Sequence, residues 1–162
     1  MCVRRTLRLP TSSAAFEELA ALATWEGEGG SVGGQLARVS GSNYNITTAG
    51  MTAAERASVV EYAQRTNAWL ASNGPVVVRS TAGTLRSQAS AAARLERLAA
   101  ARAGTPYVGQ AGHVPDTALT GLANPPAGWL DMVGSSNQAA GGGLGSRIGQ
   151  TVHVITVDGH VP

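Results

Sequence analysis

Lysine is missing altogether: the twelve basic side chains of this 162-residue chain are all arginine. A GC-rich genome replaces lysine codons throughout, so the absence itself carries little meaning, but codon usage does not decide where the arginines fall. Cysteine occurs once, at Cys2, which excludes an internal disulfide and any zinc cage of paired cysteines. A reducing compartment suits such a chain. No apolar run is long enough to cross a bilayer. The basic start Met1-Cys2-Val3-Arg4-Arg5 leads to Pro10 and then to Glu17 and Glu18, without the apolar core of a signal peptide. Neither conventional secretion nor membrane insertion is expected. Charge is scarce, 14% of residues against about 25% in an average domain, while glycine is plentiful at 21 residues. Part of the chain should be rich in loops.

The length fits one domain with a real core. Residues 1–102 carry eleven Arg against seven Glu, whereas residues 103–162 carry Arg147 against Asp116, Asp131 and Asp158, together with all three histidines. The asymmetry points to an arginine-bearing scaffold that holds a polyanion, followed by a segment that carries chemistry.

Residues 12–23 read as a short helix capped by Ser12 or Ser13, and Gly27–Gly34 as a glycine-rich loop. Residues 35–40 and 44–48 alternate around Gly41-Ser42-Asn43 like a small hairpin. Thr52-Ala53-Ala54-Glu55 has the spacing of a capping box. Val59, Tyr62, Ala63, Trp69 and Leu70 follow at helical intervals until Asn73-Gly74-Pro75 ends the run. After a short β-like Val76–Val78, Ser80 or Thr81 can cap a second long helix that runs to about Ala103. At about 100° per residue its Leu85, Ala92, Leu95 and Ala99 form one face, and Arg86, Arg94 and Arg97 lie within about 80° of one another on the opposite side. Such a stripe can lie along a phosphate backbone, because guanidinium groups match phosphate oxygens bidentately. It is also what the wet face of any amphipathic helix requires. From Gly104 regular periodicity lapses for more than forty residues, apart from short patches near Ala118 to Leu122 and Trp129 to Met132, and long irregular segments are more often functional than idle. Thr151–Val157 then alternates like a strand before an Asp158-Gly159 turn. The expected fold is α+β: mainly helical over the first two-thirds with two long helices, then a loop-rich catalytic segment and a small C-terminal β element.

The chemistry concentrates at Gly112-His113-Val114-Pro115-Asp116. Pro115 pushes Val114 toward extended geometry and limits any helix there, so His113 and Asp116 are expected on a loop. An imidazole can move a proton at neutral pH, and an ionised Asp can orient it or hold a divalent cation. Arg147 follows a glycine run, Gly141 to Gly145, where backbone N–H groups can approach a phosphate. That run lacks the Lys-Ser/Thr of a phosphate loop. Asn137 can orient a water or bond a phosphate oxygen, or else serve as a turn residue. Ser135 and Ser136 lack the G-x-S-x-G elbow of a hydrolase nucleophile. His153 sits within the expected strand, and His160 belongs to a second Gly-His-Val-Pro without the Asp.

Gly104-Thr-Pro-Tyr107, Gly109-Gln-Ala-Gly-His-Val-Pro-Asp116 and Trp129-Leu-Asp131 resemble the HxxD-motif class of polymorphic bacterial toxin domains, the novel toxin domain fifteen class. The resemblance runs from about Thr52 to the C-terminus and includes Asn67, Trp69 and Leu70. It divides the chain into a glycine-rich N-terminal extension, residues 1–50, and a toxin nuclease domain, residues 51–162. It implies an antibacterial, metal-dependent endonuclease, of the kind delivered by type VI secretion, that cleaves DNA without marked sequence preference. His113 and Asp116 would be catalytic and Asp116 a ligand for Mg²⁺, with Asp131 the nearest second acid in sequence. Arg86, Arg94, Arg97, Arg147 and Asn137 would bind substrate. It further implies a cognate immunity protein, and a secretion apparatus or chaperone as partner. The protein would be made in the bacterial cytoplasm, secreted without a signal peptide and active in the recipient's cytoplasm. An RNase of the same class, a non-catalytic nucleic-acid-binding module and a secreted adaptor remain the alternatives.

Overall fold

The chain enters the described region, residues 42–162 of a computed structural model, as a strand and not as the turn of a hairpin. Strand β1 (Ser42–Ile46) buries Tyr44 and Ile46 and exposes Asn43 and Asn45, the expected alternation. Among the described residues its partner is β5 (Thr151–Val157), which it meets in parallel, Tyr44 opposite Ile155 and Ile46 opposite Val157. The expected turn at Gly41-Ser42-Asn43 is corrected at its last two residues: Ser42 and Asn43 belong to the strand, because pairing with β5 already begins at Ser42, opposite Val152. The predicted helix at 12–23, the glycine-rich loop at 27–34 and the first hairpin strand at 35–40 lie outside the described residues. The compact unit to which these elements belong runs from Val39 to Pro162.

Helix α1 (Ala53–Asn73) begins as its sequence predicts. The Thr52 hydroxyl accepts from the Glu55 N–H at 3.3 Å and the Glu55 carboxylate accepts from the Thr52 N–H at 2.9 Å, so two otherwise orphaned donors are satisfied. It ends where Gly74 takes φ 80° and donates its N–H to the Leu70 carbonyl. Val59, Tyr62, Ala63, Thr66 and Leu70 form its buried face. After the short β2 (Val76–Val77), helix α2 (Thr84–Arg102) starts at Gly83, whose φ is 75°, with no side-chain cap. Ser80 and Thr81 do not cap it. The Ser80 hydroxyl accepts from the Ala82 N–H in the preceding turn. The predicted apolar face of α2 is also displaced: Ala89 is its one buried residue, and Leu95 is 67% exposed. The residue that α2 buries is thus an alanine and not a leucine.

The segment expected to be rich in loops is a chain of short elements: β3 (Gln110–His113), α3 (Thr117–Thr120), β4 (Trp129–Met132) and α4 (Ser136–Gly142), followed by a 3₁₀ turn at Leu144–Arg147; α3 and β4 fall at the two short patches that the sequence showed. Strands β3 and β4 pair antiparallel, with His113 opposite Trp129. Side-chain bonds to the main chain hold these pieces. The Asp131 carboxylate, for example, accepts from the N–H groups of Val108 and Gly109 at 2.8 and 2.7 Å. Pieces too short for a periodic pattern are invisible to periodicity.

In the main sheet β5 lies between β1 and β2, and β2 covers it only at Thr151 and Val152. Beyond β2, the Asn67 side chain of α1 takes over that edge, donating to the Ile155 carbonyl at 2.9 Å and accepting from the Ile155 N–H at 2.7 Å. Tyr44, Ile46, Val59, Tyr62, Leu119, Met132, Leu144, Val152 and Ile155 form one core between α1 and the two sheets. Each such side chain, fully buried, stabilises the fold by about 1.5–3 kcal/mol. The turn after β5 uses Asp158 at φ 50° and Gly159 at φ 86°, as the Asp-Gly pair predicts. Among the described residues no helix is long and apolar enough to cross a membrane.

Candidate functional site

Two glycines set His113 in place. A Cβ on Gly109 would collide with the Met132 main chain, and one on Gly112 with the Met132 side chain and Asn137, so β3 lies flat on β4 only because both positions lack a side chain. His113, at the end of β3, then faces Trp129 across the pair with ring centroids 4.4 Å apart. Its Nε2 lies 3.0 Å from the Ala123 carbonyl. A carbonyl can only accept, so the proton sits on Nε2 and Nδ1 is the basic nitrogen. Burial lowers the pKa of the imidazole, opposed by the Ala123 carbonyl and by Asp116.

The Val114–Pro115 peptide is cis, and Asp116 is the N-cap of α3. Its Oδ1 accepts from the Ala118 N–H at 2.8 Å, and its own N–H donates to the buried Tyr62 hydroxyl at 3.3 Å. Burial pushes the carboxyl pKa up, while the Ala118 N–H and His113 pull it down. The same burial, with Asp116 beside it, raises the pKa of the Tyr62 hydroxyl. A Cβ on Gly141 would stand 2.7 Å from Asp116 Oδ2, so the backbone of α4 closes over this carboxylate. The loop expected for the motif is thus a strand end and a helix cap. No hydrogen bond joins Asp116 to the His113 ring. The Ala123 carbonyl orients the imidazole, and Asp116 acts on it through its charge.

One cavity of about 830 Å³ gathers most of the residues that the sequence singled out. His113, Asp116 and Asn137 line it on the side of β3, α3 and α4, and Arg86, Arg94 and Arg97 line it from α2. Thr117 also lines it without having stood out in the sequence, together with Tyr107 and Gln110, which the sequence marked only as flanks of the motif. Gln110 alternates out of a four-residue strand, and its Oε1 accepts from Asn137 Nδ2 at 2.7 Å. Tyr62 and Trp129 were legible only as an apolar helix position and a motif flank.

Arg147 stands elsewhere. Its guanidinium lies 5.5 Å over the Tyr44 ring and donates to the Asn43 carbonyl at 3.4 Å, which ties the 3₁₀ turn to β1. Asp131 is committed to the Val108 and Gly109 amides and does not join Asp116. Ser135 and Ser136 bond to Glu55 and to the Val133 carbonyl. His153 and His160 lie on β5 and just after it. Among the described residues no group of three or more His, Cys, Asp and Glu forms a metal cage. Asp116 and Asn137 line the same cavity and carry hard oxygen donors of the kind that would suit Mg²⁺ in its usual mode, with few protein ligands and the rest from water and substrate phosphate. With three arginines in the same cavity, such a cation would enter with its anion.

Comparison with protein-family models, with curated proteins and with solved structures finds no match to this chain.

Proposed function

We propose that this chain is a nuclease that breaks phosphodiester bonds in nucleic acid, DNA in the first place, without marked sequence preference. The observation that carries the reading is the shared cavity: an imidazole with one basic nitrogen, a carboxyl beside it, and three arginines along the opposite wall. Guanidinium groups suit phosphate oxygens in a way that few other substrates reward.

His113, kept neutral at neutral pH by burial, takes the proton of an attacking water at Nδ1. The Asp116 charge favours the imidazolium that results. Arg86, Arg94 and Arg97 hold the phosphate and stabilise the charge that gathers on its oxygens as the ester bond breaks. Mg²⁺, held by Asp116 and Asn137, would neutralise the same oxygens. The likeness to HxxD toxin domains supplies the setting: an antibacterial effector active in a recipient's cytoplasm and neutralised by an immunity protein.

The test is incubation of the purified chain with supercoiled plasmid and with total RNA, with Mg²⁺ or with a chelator. Plasmid nicking is expected with Mg²⁺ and should stop on chelation. His113→Ala should lose about 10²–10⁴-fold in rate, and Asp116→Ala should be similarly inactive. Nicking retained by His113→Ala would overturn the mechanism. Cleavage of RNA alone would make the protein an RNase, and salt-dependent binding without cleavage would make it a binding module.

A further inference from the structure

We infer that Arg65 is a positioning residue for His113: from α1 it grips the main chain at Ala127 and Trp129, in the segment 123–129 that holds the imidazole. The inference rests on the reading of His113 as the base, but its first test does not depend on activity.

Arg65 donates from Nη2 to the Ala127 carbonyl at 2.5 Å and from Nη1 to the Trp129 carbonyl at 3.1 Å. The residue between them is Gly128, at φ 82°, where a Cβ would come within 3.3 Å of Nη2. A planar fork therefore spans two carbonyls across a glycine that leaves room for it. The geometry suits a guanidinium and not an ammonium, which presents a single point of charge. The gripped segment meets His113 in three ways. The Ala123 carbonyl accepts from Nε2, the Trp129 ring lies 4.4 Å from the imidazole, and Ala127 and Gly128 exchange main-chain bonds with Val114, the residue next to the histidine. Arg65 touches neither the ring nor the cavity, so its effect on His113 runs wholly through this segment. Glu61 Oε1 lies 3.6 Å from Nη1 in a partly exposed ion pair, which is worth little beside the two carbonyl bonds.

The test reads the imidazole directly, by ¹⁵N NMR of the three histidines, with His113 assigned from the spectrum of His113→Gln. In the wild type the ring should show a single tautomer, protonated at Nε2. Arg65→Ala should release the segment and average the two nitrogens, and Arg65→Lys, which can serve one carbonyl, should fall between. Glu61→Gln should leave the shifts unchanged. In the nicking assay Arg65→Lys should lower kcat by about tenfold, the scale of an outer-shell residue, with KM within about twofold. If Arg65→Ala does not fold, Arg65→Lys decides. Unchanged His113 shifts in the folded Arg65 variants would overturn the inference, as would an equal change in Glu61→Gln. A wild type that shows the fixed tautomer and no cleavage would sink the nuclease reading while leaving the role of Arg65 intact.

Discussion

Glu55 is half-buried, and its carboxylate accepts from the N–H and hydroxyl of Thr52, both at 2.9 Å, and from those of Ser135 at 2.7 and 2.9 Å. The Ser135 N–H, followed by the Thr52 N–H and both hydroxyls, holds its pKa at about 2 against an ordinary 4.5. A carboxyl depressed in the folded state contributes stability that is complete above its unfolded pKa and is lost as pH falls through its folded one. Glu55→Gln should therefore lower the urea midpoint at neutral pH, and the gap from wild type should close between about pH 4.5 and 2. The capping box was legible from Thr52 and Glu55 alone. The bond to Ser135, which ties the start of α1 to the start of α4, was not, because nothing in the sequence marks a partner eighty positions away. His113 and Asp116 were likewise legible as residue types beside a proline. The Ala123 carbonyl that fixes the ring was not, since main-chain groups leave no signature in a sequence.

The two long helices differ in how they are held. Helix α1 buries a full face, whereas α2 buries Ala89 alone and leaves Leu95 and Leu98 in solvent. Few buried apolar contacts mean a low local opening free energy. The amides of α2 should accordingly exchange with deuterium well before those of α1, and a nucleic-acid ligand should slow them. Equal protection of both helices in the free protein would show that α2 is held by more than its alanines. The sequence placed both helices well, because Thr52, Gly74 and Gly104 act locally. It misplaced the start and inner face of α2, since Gly83 begins the helix by backbone conformation and not by a side-chain cap, and leucine was read as core where alanine is. Strand β1 was legible as a strand, but its pairing with β5 depends on a contact between distant parts of the chain.

At the scale of the molecule, the arginines of the described residues up to Arg102 do not act as one surface. Arg56 pairs with Asp158 and Arg65 grips carbonyls, while Arg86, Arg94 and Arg97 share the cavity with His113. Binding to duplex DNA should weaken with salt by a log–log slope of about −0.9 for each phosphate neutralised. Replacing those three arginines with glutamine should make the slope shallower by about 2 to 3, as measured by fluorescence anisotropy, with little change in melting temperature. An unchanged slope would place the DNA on another face. The order of the main sheet carries a consequence for biosynthesis. Its middle strand, residues 151–157, is the last of the three to be made, so as the nascent polypeptide leaves the ribosome both outer strands wait without a neighbour. Assembly of this sheet is thus a late event that waits until translation has passed the Asp158-Gly159 turn.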